Sequence, residues 1–160
     1  MVIRIIGIGS LFGDDAAGLE ALRMLAEAPP PNCELIAADR PGAALIDMLE
    51  NADAVILVDA VVSGSPTGKI HELTFDALDA SNLSFVSSHD LDVAAAVKLA
   101  GTLGRCAPRG RVIGLEVAPP RPDRVFGLSP EIRDALGHLV ERVRLCAAEL
   151  NAVCSSARSS

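Results

Sequence analysis

The sequence predicts an α/β fold, a single-domain three-layer αβα sandwich around a mostly parallel five-stranded sheet with one antiparallel edge strand. Segments with the apolar pattern of strands alternate along the chain with segments that have helical spacing, and this order is typical of a parallel sheet covered by helices. Two predicted strands, residues 2–8 and 54–58, are almost continuously apolar. Such strands are typical of parallel sheets that are buried on both faces.

The first half of the chain contains three of the predicted strands and two helices. The strands are short and apolar, and they are predicted at residues 2–8, 33–38 and 54–58. The helices between them are predicted at residues 16–28 and 43–50. Asp14 or Asp15 is expected to cap the first helix, because aspartate is favoured at helix N-termini. The prolines at 29–31 end that helix, since proline cannot continue it.

The second half of the chain supplies the edge strand and the clearest helix. Residues 69–75 alternate between apolar and polar side chains and are expected to form the antiparallel edge strand. A third helix over residues 90–101 and a fifth strand over residues 111–117 follow. The last helix begins with Ser129 as its cap and Pro130 at its first position. Its apolar residues recur at helical spacing: Ile132, Leu136, Leu139, Val140, Val143 and Leu150.

The length and composition bound the domain and its partners. A chain of 160 residues is long enough to bury a core, and we expect one domain over residues 1–150 with a flexible Ser-rich tail at 151–160. Only four residues are aromatic, all Phe, so the core is expected to consist of Ala, Val, Leu and Ile. The formal charge of −7, without a run of Lys and Arg, argues against nucleic acid as a partner.

The sequence favours a cytoplasmic protein. No apolar run reaches the length of a membrane span, and the short apolar stretch after Met1 is not a signal peptide. The four cysteines are scattered and form no CxxC pair: Cys33, Cys106, Cys146 and Cys154. We therefore expect reduced thiols and a cytoplasmic location, and we expect a monomer.

Three polar residues are predicted at the carboxyl ends of the strands, where ligands bind in open α/β sheets. Asp15 follows the first strand, Asp59 ends the third, and His89 precedes the third helix. Each also has a structural interpretation. Asp15 could cap a helix, Asp59 could cap the following turn, and His89 could be a loop histidine bonded to neighbouring serines. We favour function because all three are expected to face one crevice. His71, on the edge strand, and His138, on the last helix, are expected to have no functional role.

The turn after the first strand resembles a dinucleotide-binding turn only in its first half. Gly13 comes four residues after Gly9, whereas the fingerprint requires a spacing of three. Asp14 and Asp15 at a helix N-terminus would also repel a pyrophosphate. Asp39 ends the second strand, where that fold keeps a ribose-binding acid. A nucleotide-binding α/β module therefore stays open as an alternative.

Two carboxylates and an imidazole can support two kinds of chemistry. As ligands, Asp15, Asp59 and His89 form a mixed oxygen and nitrogen set that suits nickel, zinc or manganese. As acid–base groups, they would let one carboxylate activate a water molecule. The sequence contains no Gly-x-Ser-x-Gly nucleophile motif. The residues alone do not decide between a metal site and a metal-free acid–base site.

Four landmarks occur in a fixed order between about residues 3 and 145. They are Gly7-Ile8-Gly9-Ser10-Leu11-Phe12-Gly13-Asp14-Asp15-Ala16-Ala17-Gly18, Leu57-Val58-Asp59-Ala60, Ser87-Ser88-His89-Asp90-Leu91, and the late pair Gly114-Leu115-Glu116-Val117-Ala118-Pro119 and Gly127-Leu128-Ser129-Pro130. In this order they resemble the nickel–iron hydrogenase maturation endopeptidases. Three loops depart from the family pattern: Ser10 replaces Asn, Arg40-Pro41-Gly42 replaces a Gly-Thr-rich turn, and Asp92 replaces a glycine. Loops commonly determine what a protein binds, whereas the strands determine its architecture. These departures therefore concern the choice of substrate more than the fold.

The resemblance implies an endopeptidase that removes a C-terminal extension from the hydrogenase large-subunit precursor after nickel insertion. It places Asp15, Asp59 and His89 at catalytic, metal-sensing positions, and Asp39 near an acid that the family carries after strand two. The nickel would belong to the precursor rather than being permanently bound. Alternatives are a metallohydrolase with its own ion and a chaperone that binds the precursor without cleaving it.

Overall fold

The computed structural model describes residues 1–86, 91–120 and 126–159, which form a central sheet with helices on both faces. The strands are β1 Ile3–Gly9, β2 Cys33–Asp39, β3 Ala54–Val62, β4 Ile70–Thr74, β5 Ser84–Phe85 and β6 Gly110–Glu116. The helices are α1 Ala17–Glu27, α2 Ala44–Leu49, α3 Val93–Thr102 and α4 Pro130–Ala157. Two 3₁₀ turns, Gly13–Ala16 and Phe75–Ala77, precede α1 and follow β4.

The sheet has the predicted mostly parallel order. Its main path is β2-β1-β3-β6-β4, in which the first four strands are mutually parallel and β4 runs antiparallel to β6 at the edge. The predicted fold class and the predicted edge strand are therefore confirmed. The predicted count of five strands misses β5, which adds one short antiparallel pairing to β3. A strand of two residues is too short to show an alternating pattern.

Two apolar cores separate the three layers. One face of the sheet packs against α1 and α4, which bury Ala21, Leu25, Leu136 and Leu139 among others. The opposite face packs against α2 and α3, which bury Leu45, Leu49, Ala96 and Ala100 among others. Small and branched aliphatic side chains dominate both cores, as the composition predicts. The sheet is therefore shielded on both faces, and its strand ends are left as the place for a site.

The third strand extends further than the sequence predicts. The prediction that Asp59 ends it is wrong, because β3 continues through Ala60 and Val61 to Val62. The neighbouring strand explains the extension, since the β3–β6 ladder continues past Asp59 to the pair Val61 and Glu116. Asp59 is therefore held on both sides by strand backbone rather than by a loop.

The last helix begins as predicted and ends later. The Ser129 hydroxyl accepts a hydrogen bond from the Ile132 N–H, and Pro130 occupies the first turn. The predicted apolar stripe is buried. Beyond residue 150, however, the chain stays helical to Ala157, where the sequence predicts a flexible tail. The Asn151 amide donates to the Pro31 carbonyl at 3.0 Å, and this contact ties the extra turns to the loop between α1 and β2.

Two further observations concern the thiols and the apolar character of the helices. All four cysteines are free thiols, as predicted. Burial raises the pKa of the Cys146 thiol to about 12, so this thiol is unreactive. In the described part of the chain, no helix combines the length and the apolar character that a membrane crossing requires.

Candidate active site at the carboxyl ends of the strands

Asp59 is a buried carboxylate in the middle of the sheet. Its exposed fraction is 0%, and its backbone pairs with Gly114 of β6. The Ala60 N–H donates to Asp59 Oδ1 at 2.8 Å. A carboxylate is costly to bury unless it is hydrogen-bonded, paired with a cation or bound to a metal. Among the predicted site residues that the structure describes, Asp59 is the most deeply buried.

Asp15 lies on the 3₁₀ turn that follows β1, and this turn packs against β3. The Ser10 hydroxyl donates to Asp15 Oδ2 at 2.5 Å, and the Ser10 N–H donates to the Asp15 carbonyl oxygen at 3.3 Å. Ser10, one of the departures from the family pattern, thus fixes both the side chain and the backbone of Asp15. Asp15 and Asp59 therefore lie on neighbouring elements, the 3₁₀ turn and β3.

Two glycines allow the Asp15 turn and the start of α1 to lie directly on the strands. A Cβ atom on Gly9 would overlap the carbonyl oxygen of Asp15. A Cβ atom on Gly18 would overlap the carbonyl oxygens of Ile8 and Val58, in β1 and β3. The glycines of this segment are therefore required for close backbone packing, and no phosphate is needed to account for them.

Asp14 has a different role from the predicted one. It does not cap α1, because the N-cap position of that helix is Ala16 and no side chain bonds there. Instead the Asp14 carboxylate accepts hydrogen bonds from the Ser129 N–H at 2.7 Å and the Ser129 hydroxyl at 3.0 Å. Asp14 thereby fastens the Asp15 turn to the start of α4, which lies 115 residues away in sequence.

Two of the residues singled out from the sequence remain, His89 and Asp39. His89 lies outside the described residues. Asp39 ends β2, where it pairs with Arg40 at 3.0 Å on the exposed surface. Within residues 1–86, 91–120 and 126–159, no three His, Cys, Asp or Glu side chains are grouped closely enough to hold a metal ion. A set of three that includes His89 is therefore still a prediction.

A second buried carboxylate, Glu116, was not predicted as a site residue. It ends β6 and is 1% exposed. Its Oε1 accepts from the Ser63 N–H at 2.8 Å, and its Oε2 lies 2.9 Å from both the Ser63 hydroxyl and His71 Nε2. This cluster ties the turn after β3 to β6 and to the edge strand. A carboxylate directly after an apolar strand is the same signal that singles out Asp59.

The hydrogen bonds to Glu116 control its ionisation. Burial by itself raises the pKa of this carboxyl, but the donors of Ser63 and His71 outweigh burial and hold the pKa below its usual value. A lowered pKa in the folded protein means that the charged form stabilises the fold. That stabilisation is present above the pKa of the unfolded chain and is lost as the pH falls through the folded pKa.

Replacing Glu116 by Gln is therefore expected to lower the free energy of unfolding at pH 7 by about 1–3 kcal/mol. The difference from the wild type should shrink as the pH falls, because the wild-type carboxyl then becomes neutral too. Urea unfolding at pH 7 and at pH values down to the acid limit of folding would measure this. Glu27→Gln, at an exposed carboxylate on α1, is the control and should change little. A Glu116→Gln deficit that is the same at every pH would contradict the assignment.

The sequence matches the model of one protein family. Residues 19–144 match the family described as hydrogenase maturation protease, HycI. This span includes Asp59 and His89 and begins just after Asp15. A curated relative, the hydrogenase expression/formation protein HupD of Rhodobacter capsulatus, is 29% identical over 118 residues. That alignment covers 71% of this chain and 56% of the relative, so the chain spans little more than half the relative's length.

Solved structures share the fold. The hydrogenase maturating endopeptidase HybD from E. coli has a TM-score of 0.74 at 20% identity, and the match covers 93% of each chain. The [NiFe] hydrogenase maturation protease HybD from Thermococcus kodakarensis has a TM-score of 0.70 at 22% identity, with 92% of this chain and 99% of that chain covered. At these identities, the likeness establishes the architecture of the sheet and helices.

Proposed function

Because the chain belongs to the hydrogenase maturation protease family, we propose that it is an endopeptidase acting on the large-subunit precursor of a nickel–iron hydrogenase. It removes a C-terminal extension from that precursor after nickel has been inserted. The names of the relatives, a maturation protease and a hydrogenase formation protein, support this choice of substrate. We further propose that it acts as a cytoplasmic monomer, which fits its four free thiols.

The burial of Asp59 is the observation that carries the proposal. A fully buried carboxylate within a strand, next to a turn that presents a second carboxylate, supplies oxygen donors on two neighbouring elements. Asp15 is held by its own hydrogen bond from Ser10, as a preorganised ligand would be. The arrangement suits recognition of a cation at the strand ends.

Asp15, Asp59 and His89 bind the nickel that the precursor already carries. Two carboxylate oxygens and one imidazole nitrogen suit a borderline divalent ion. Binding of the nickel places the precursor's C-terminal peptide across the strand ends. The scissile carbonyl of that peptide then lies close enough to the ion to be polarised by it. Hydrolysis then adds the oxygen of water to the carbonyl carbon and breaks the C–N bond, and the departing amine takes a proton. The chain's residues supply the positioning, and the nickel belongs to the substrate.

Incubating the purified protein with nickel-loaded precursor tests the proposal. The intact mass of the precursor should fall by the mass of one C-terminal peptide. Capture of the precursor without a change in its mass would instead favour a chaperone. Metal analysis of protein purified without added nickel addresses the other alternative, because a metallohydrolase with its own ion would retain stoichiometric metal.

A further inference from the structure

Arg40 is held in a backbone conformation that its side chain disfavours. Its φ angle is +44°, in the left-handed region. Among the described residues, the other non-glycine residues with positive φ are Asn32 and Asn51. Asparagine tolerates this region because its short polar side chain can hydrogen-bond locally, whereas a long side chain gains no such relief. Arg40 therefore stands out as a strained residue.

The fold does not require an arginine at this position. The Arg40 N–H donates to the Gly9 carbonyl at 3.0 Å, a bond that glycine would make equally well. The Arg40 Nε pairs with Asp39 at 3.0 Å, but these side chains are 45% and 55% exposed. Exposed ion pairs contribute little to stability. Strain that the fold does not need is a reason to look for function.

The position of Arg40 connects it to the candidate site. Its backbone bonds to Gly9, and the next residue along, Ser10, donates to Asp15. Arg40 directly follows β2, which neighbours β1. It therefore lies at the same carboxyl end of these strands as the turn that holds Asp15. In the described part of the chain, its two Nη groups have no protein partner, while its Nε bonds to Asp39.

The chemistry of the guanidinium indicates its ligand. The planar pair of N–H groups matches a carboxylate, which it can bind with two parallel hydrogen bonds. The chain carries a formal charge of −7, so an anionic segment of a partner needs a local cation on this surface in order to bind. Arg40, which directly follows β2 and is half-exposed, supplies such a cation.

We propose that Arg40 binds a carboxylate of the precursor's C-terminal extension. That carboxylate is either an acidic side chain or the chain terminus. The inference rests on the proposed protease function and adds a contact that selects precursors by the charge of their extension.

The test measures the binding of immobilised nickel-loaded precursor to the wild type and to three variants, Arg40→Gln, Arg40→Lys and Arg40→Gly. Arg40→Gln and Arg40→Gly should raise the Kd about tenfold, the loss expected for one charge-assisted contact. Arg40→Lys should retain part of the affinity. Arg23→Gln is the control, because Arg23 is 61% exposed on α1, pairs with Glu20, and its replacement changes the net charge equally.

Precursor variants identify the carboxylate. One has the acidic side chains of its extension changed to amides, and another carries a C-terminal amide installed by peptide ligation. Neutralising the true ligand should weaken wild-type binding by the same factor and leave no further loss for Arg40→Gln, as in a double-mutant cycle. Because glycine suits a positive φ, Arg40→Gly should keep a Tm at least as high as the wild type, which excludes misfolding as the cause.

Two results overturn the inference while leaving the proposed function intact. One is equal precursor binding by the wild type and Arg40→Gln. The other is a loss on Arg40→Gln that persists when both carboxylate sources are neutralised, since the arginine would then act through the structure. If the wild type neither binds nor cleaves the precursor, the proposed function fails, and the inference fails with it.

Discussion

Asp15→Asn, Asp59→Asn and His89→Ala are each expected to lower the rate of precursor processing by more than about 100-fold. The asparagine variants keep the shape of the side chain but remove the negative charge that a nickel ligand supplies. The alanine variant removes the imidazole nitrogen. Because each residue is proposed to contact the same ion, any single change should suffice, and combining them should add little.

The same variants should remain folded. Asn has nearly the volume of Asp and can accept the Ala60 N–H bond, so the unfolding free energy of Asp59→Asn should stay within about 1 kcal/mol of the wild type. Single-turnover cleavage and thermal unfolding of each protein would measure both quantities. Asp47→Asn, at a 72% exposed carboxylate on α2, is the control and should process normally. Unfolding of all three site variants would return these residues to a structural role.

Gly18→Ala is expected to have the largest effect on stability, a loss of about 3–5 kcal/mol. The added Cβ would overlap the carbonyl oxygens of Ile8 and Val58. Both are strand backbone atoms, so no change of rotamer can relieve the clash, and α1 must move away from the sheet. The Asp15 turn precedes α1 directly, so processing should fall together with stability.

Gly137→Ala is the matched control. It lies inside α4, and a Cβ atom there would meet nothing within 4 Å. Alanine is the better helix former, so this variant should gain about 0.5–1 kcal/mol. Urea unfolding of both proteins gives the comparison. If Gly18→Ala were as stable as the wild type, this result would contradict the close packing of α1 on β1 and β3.

The sequence predicts the layers of this fold well, because each strand and helix carries its own apolar period. It predicts the end of β3 poorly. Asp59 interrupts an apolar run, and a polar residue after such a run normally indicates a turn. The strand continues because β6 offers hydrogen-bond partners beyond it, and pairing between strands is not visible in a single segment.

The site is predictable only in part, for a related reason. Asp15 and Asp59 can be singled out because each follows an apolar strand in an alternating fold. Asp14 is misassigned because helix-cap reasoning considers only neighbouring residues, whereas its partner is Ser129. The contacts of Glu116 with Ser63 and His71 are likewise tertiary. The strain at Arg40 is a backbone property that no residue pattern indicates.

Nickel in the precursor is proposed to trigger cleavage of that precursor by this chain. The most direct measurement is the intact mass of the precursor after incubation with the wild-type protein, with nickel-loaded and nickel-free precursor compared side by side. We predict that the loaded precursor loses its C-terminal extension and that the nickel-free precursor keeps its full mass. Cleavage of both forms at equal rates, or of neither, would contradict nickel-dependent processing.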